Sequence, residues 1–150
     1  MRSLSFLVLT IVLLSPVKAD DNLKTVVSAF SVQETLDRLA KILESKGISV
    51  LARIDHAAGA KKAGLALDET QLLIFGNPKL GTPLMQSQRT IGLDLPMKAL
   101  AWKGADGKVR LSYTLPKALK SRHGVADQDA IFSKMTKALA ALTSAATKQK

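Results

Sequence analysis

The chain has 150 residues, with 22 Lys or Arg against 12 Asp or Glu, a formal net charge of +10, no cysteine and two histidines. Without thiols there can be no disulfide, cysteine nucleophile, thiol redox pair or Cys-ligated zinc, and two imidazoles cannot complete a three-histidine zinc site. The basic residues are scattered, with no run longer than Lys61-Lys62, so the charge reads first as a solvated surface and second as a means of reaching anionic envelope surfaces.

Met1 to Ala19 has the plan of a cleavable secretory signal: Arg2 at the start, an apolar run from Leu4 to Leu14, and small residues in Val17-Lys18-Ala19. Cleavage is expected after Ala19, leaving 20–150 as a single domain in the periplasm or outside the cell. Leu4 to Leu14 is shorter than the roughly 20 residues a bilayer-crossing helix needs, and no later segment comes near that length. An exported chain is not expected to meet nucleic acid.

Lys24 to Phe30 is β-branched and predicts a strand. Ser31 and Glu34 form a capping box for a helix whose apolar face is Val32, Leu36, Leu39, Ala40 and Leu43, with Gly47 at a left-handed C′ position. Ile48 to Ile54 alternates as a half-buried strand. Asp55 to Gly64 is rich in small residues that let a ligand or backbone approach, and a short helix fits there. Thr70 to Phe75 is apolar at consecutive positions and predicts a strand covered on both faces.

Gly76-Asn77-Pro78 is read as a turn, and Thr82-Pro83 as the N-cap and first turn of a short helix reaching about Gln88. Met97 to Trp102 and Lys108 to Thr114 flank Gly104-Ala105-Asp106-Gly107 and predict a hairpin. A two- or four-residue loop would put Leu100 and Trp102 on the core face with Val109, Leu111 and Tyr113. Lys117 to Gly124 is polar and turn-like. Asp127 is expected to cap a last helix with Ile131, Met135, Ala138, Leu139 and Leu142 as its apolar stripe.

The order β-α-β4-α predicts an α+β domain with a mainly antiparallel sheet, strand one beside strand five, and both main helices on one face. The other face is expected to stay half open, the natural place for function or for a homodimer.

His56-Ala57-Ala58-Gly59-Ala60, Phe75-Gly76-Asn77-Pro78-Lys79-Leu80-Gly81-Thr82-Pro83-Leu84-Met85, Asp94-Leu95-Pro96 and Ser112-Tyr113 together resemble the domain-of-unknown-function family 302 from about Lys24 to Ala146. The resemblance implies a fold similar to the halves of TATA-binding proteins and carries no established activity. Some branches of that family have Cys after the Leu-Pro where this chain has Met97, so no thiol role transfers.

The ligand-binding candidates are His56, Asn77, Lys79, Thr82 and Arg89, serving a small anionic or apolar ligand; no cofactor or metal is expected. His56, next to Asp55, is the candidate general base, with a capping or structural role as the competing assignment. Lys79 or Arg89 would hold an anionic substrate, and Asn77, Lys79 and Thr82 could line an anion site at the short helix. Against that, Asn77 and Thr82 are residues that satisfy turn and cap donors. His123 is read as solvated, and Met85, Met97 and Met135 as core filler. No phosphate-binding Gly-rich loop, Gly-x-Ser-x-Gly elbow or metalloprotease helix is present. The readings are therefore a non-enzymatic binding domain, an enzyme built on His56, or a basic module resting on the envelope.

Overall fold

A computed structural model describes residues 21–149; the leader read at 1–19 lies outside them. Strands β1 (Leu23–Ser28), β2 (Ser49–Asp55), β3 (Thr70–Gly76), β4 (Met97–Lys103) and β5 (Val109–Thr114) form one sheet in the order β1-β5-β4-β3-β2, and every neighbouring pair is antiparallel. The helices are α1 (Val32–Ser45), α2 (His56–Lys62), α3 (Pro78–Ser87), α4 (Pro116–His123) and α5 (Asp129–Thr147), with a 3-10 turn at Arg89–Leu93.

Helix α1 starts as expected: the Ser31 side chain accepts from the Glu34 N–H at 3.1 Å, and Gly47 closes the end at φ +67. Val32, Leu36, Leu39 and Leu43 are wholly buried, and burying each stabilises the fold by about 1.5–3 kcal/mol. This helix carries the chain across β3, β4 and β5 and leaves β1 and β2 on opposite edges. Helix α5 packs against α1 and β1 through Phe132, Met135, Leu139, Leu142 and Ala146. The Arg38 guanidinium stacks on Phe30 at 4.0 Å and donates to the Ala146 carbonyl, tying the end of α5 to α1.

Five local expectations are corrected. The β4–β5 loop is odd, not even: Lys103 pairs with Val109, Gly107 N–H bonds the Gly104 carbonyl, and Gly107 sits at φ +75. The turn closes on a left-handed glycine, which moves the register by one residue. Met97, Ala99 and Ala101 therefore join Leu111 and Tyr113 in the core, while Leu100 and Trp102 lie opposite Ser112 and Arg110 on the other face.

Helix α3 begins at Pro78, not Pro83. Asn77 caps it by accepting from the Lys79 N–H at 2.9 Å, with Pro78 at the first helical position. Pro83 is then an interior residue whose ring removes one helical hydrogen bond. The polar stretch after Leu115 is helix α4, started by Pro116 and ended by Gly124 at φ +64. Asp127 does not cap α5; Gln128 occupies the cap, and the Asp127 carboxylate accepts instead from the Ser87 hydroxyl. Coverage of β2 and β3 is one-sided: Leu73 and Phe75 are buried against the helices, Leu72 and Ile74 are half-buried, and β2 is largely exposed, with a bulge between Val50 and Ala52.

Candidate functional site

Three elements end together at one end of the sheet: β2 begins at Ser49, β3 ends at Gly76 and β4 begins at Met97. A strand end exposes core side chains that no further residue covers. Here α3 folds back over them from one side, and the stripe of α5 closes the other. Between them lies a cavity of about 350 Å³, walled by Leu80, Gly81 and Met85 of α3, Met135, Ala138, Leu139 and Leu142 of α5, and Ile48, Leu51, Phe75, Leu95, Pro96 and Met97 from the strand ends. The Leu95–Pro96 peptide is cis.

The polar side chains on this wall are Ser49, Asn77 and Thr82. Asn77 is already spent on capping α3, and the N–H groups of Leu80 and Gly81 bond the Asn77 carbonyl. The helix start thus offers few free donors to an anion. What remains is an apolar recess with hydroxyls at its margin, in the size range of small-ligand sites. Gly81 helps keep it open: a Cβ there would meet Leu95 at 3.8 Å and Met85 at 4.0 Å.

Of the sequence-derived candidates, Asn77 and Thr82 line this cavity. Lys79 and Arg89 are exposed and do not line it. His56 is exposed at the first position of α2, at the far end of β2 from Ser49. Six residue steps of extended strand put those two ends about 20 Å apart. The structure therefore does not bring His56 together with Lys79 or the α3 loop. Asp55 caps α2 by accepting from the Ala58 N–H at 2.8 Å and also accepts from Gln71; that carboxylate is occupied elsewhere than on the imidazole.

A polar cluster that the sequence reading missed joins the 3-10 turn to α4. His123, read as solvated, has a side chain only 7% exposed, and its Nε2 lies 2.7 Å from the Asp94 carboxylate. A carboxylate only accepts, so Nε2 carries the hydrogen, and in the neutral ring Nδ1 accepts from the Thr90 hydroxyl at 3.1 Å. Arg122 Nη1 donates to both Asp94 oxygens at 3.0 and 2.9 Å. Burial pulls the Asp94 carboxyl upward, but the hydrogen bonds from His123 and Arg122 and their charges outweigh it and hold the group below its ordinary value. The available signal was helix-end chemistry: Pro116 as a start, and Lys120, Arg122 and His123 before Gly124 as a stop. None of Thr90, Asp94, Arg122 or His123 lines the cavity. The cluster adjoins the cavity through the chain: Leu95, one residue after Asp94, is part of the wall.

Among the described residues no group of three or more metal-ligating side chains occurs, and no helix is long and apolar enough to cross a membrane.

Comparison with known proteins agrees with this fold. The crystal structure of an uncharacterised conserved DUF302 protein from Bacillus stearothermophilus superposes with a TM-score of 0.77 at 21% identity, covering 85% of this chain and 99% of that one. Curated relatives include fluoride-specific ion channel FluC 1 of Brucella suis biovar 1 (strain 1330) and FluC 1 of Brucella abortus biovar 1 (strain 9-941). Each is 54% identical over 106 residues, or 71% of this chain, but only 42% and 39% of those proteins. The chain thus spans about two fifths of the relatives it matches. With the family model for the domain of unknown function DUF302 matching residues 24–142, the chain belongs to the DUF302 family.

Proposed function

We propose that this domain is a non-enzymatic binding module for a small, predominantly apolar ligand, held in the recess between α3 and α5. The observation that carries the reading is the recess itself: about 350 Å³, walled by aliphatic, thioether and aromatic side chains, with Ser49 and Thr82 as polar margins. Such a wall rewards removal of carbon from water and offers little to a charged substrate. The reading favours the apolar over the anionic ligand class, and the Asn77 to Met85 segment over His56. The conduction named in the Brucella relatives is not carried over. Most of their length lies outside the match, and no helix among the described residues is long and apolar enough to cross a membrane.

The test fills the recess from α5. Ala138 is half-buried on its wall, and Ala138→Phe puts a ring into the space a ligand would take. Displacement of an environment-sensitive apolar dye such as 1-N-phenylnaphthylamine by medium-chain alcohols should be saturable in the wild type. In the variant it should be weakened roughly tenfold or more, with an unchanged far-UV circular dichroism spectrum. Dye uptake that is absent in the wild type, or equal in the two folded proteins, rejects the assignment.

A further inference from the structure

The sheet face turned away from α1 and α5 is a surface feature that the ligand reading leaves unused. Register places Leu72 and Ile74 of β3, Leu100 and Trp102 of β4, Ala52 and Ile54 of β2, and Leu23 and Val27 of β1 on it. Leu23, Val27 and Ile54 remain 46%, 59% and 41% exposed. We propose that this face is where a second copy of the same chain packs, sheet on sheet, across a two-fold axis passing close to Leu100.

Three observations support a partner, and specifically a second copy. First, the polar groups of the face are satisfied within it. Trp102 Nε1 donates to Ser112 Oγ at 3.0 Å, which in turn pairs with Thr25 Oγ1 at 2.8 Å. Arg110 holds both Asp106 oxygens at 2.8 and 2.7 Å and lies 5.2 Å over the Trp102 ring. Lys98 Nζ donates to the carbonyls of Asp94 at 3.0 Å and Pro96 at 3.1 Å. Covering the face therefore leaves Arg110 paired with a carboxylate and Lys98 hydrogen-bonded to two carbonyls, so neither cation is stripped of its partners.

Second, the size suits a dimer. Five strands about 4.8 Å apart, six or seven residues long at about 3.3 Å each, give a footprint of roughly 500 Å² per copy. Two such faces bury at least about 1,000 Å², the threshold at which a specific interface becomes credible.

Third, the pattern is self-complementary about its centre. β4 is the middle strand and Leu100 its middle residue. An axis lying in the interface and perpendicular to the strands sets Leu100, Leu72 and Ile54 each on its own equivalent and Val27 against Leu23 of the other copy, while Ile74 meets Thr70. It also sets Lys98 level with Trp102 of the other copy.

Trp102 is the single tryptophan and sits on this face, so it reports the association directly. Sedimentation velocity over a micromolar to sub-millimolar series should show a dimer, with tryptophan emission moving to longer wavelength on dilution. Leu100→Lys should weaken association roughly tenfold or more and leave emission independent of concentration. Leu93→Lys, at an 82% exposed position outside the sheet, should behave as the wild type. Should Leu100→Lys fail to fold, Ile54→Lys at the exposed end of the face reads the same loss. A wild type that stays monomeric throughout overturns the proposal, as does a dimer that survives the face substitutions with the wild-type emission shift.

Discussion

Asp94 connects two parts of the molecule that are far apart in sequence. It receives His123 and Arg122 from the end of α4 while standing next to Leu95 of the cavity wall. Its carboxyl is held below the ordinary value, so the folded state binds its proton less readily than the unfolded state does. The stabilisation is therefore fully present above the unfolded carboxylate value of about 3.9 and is lost as pH falls through the depressed folded value. Urea midpoints measured from neutral pH down into the acid range should fall accordingly. Asp94→Asn should cost about 1–3 kcal/mol at neutral pH and flatten the acid limb; an unchanged acid limb would assign that loss to other carboxylates. This residue was quoted in the Asp94-Leu95-Pro96 motif, yet its role was not legible in sequence. A salt bridge between positions 28 and 29 residues apart leaves no periodicity to detect. His56 shows the converse: an Asp-His neighbour pair looks like chemistry in one dimension, whereas in the fold Asp55 is a helix cap.

At the level of elements, what was legible depended on whether a local rule had a competitor. The capping box of α1 had none, and Ser31, Glu34 and Gly47 stand where they were expected. Two adjacent start signals competed in α3, and Asn77-Pro78 prevailed over Thr82-Pro83 because the earlier cap follows directly on the end of β3. The hairpin between β4 and β5 is the most consequential case. Gly104 and Gly107 announce it, but nothing in their spacing separates an even loop from a three-residue turn with one left-handed glycine. That single residue decides which side of β4 enters the core. Gly107 carries the decision at φ +75, where an L side chain costs about 1–2 kcal/mol. Gly107→Ala should lower stability by about that amount in chemical denaturation, although a Cβ there meets nothing within 4 Å. A loss near zero would show that the turn relaxes into another type.

The whole molecule was the most legible scale. Element order implied a mainly antiparallel sheet with its first strand beside its last and both long helices on one side; the sheet is antiparallel throughout, in the order β1-β5-β4-β3-β2. The cavity was not legible, because it belongs to no element. It is the gap left where strand ends, α3 and α5 fail to meet. The strand order has a further consequence, for assembly in time. Ladders β2–β3, β3–β4 and β4–β5 join consecutive strands, whereas β1–β5 pairs Leu23 with Thr114 across three intervening strands. Contacts so distant in sequence carry the largest chain-closure entropy and are rewarded only after the shorter loops have closed. β1 should therefore dock last: truncating Val26 should mainly speed unfolding, and truncating Leu111 should slow refolding in stopped-flow experiments. The first strand of the sheet would then wait, unpaired, until the fifth forms and completes it.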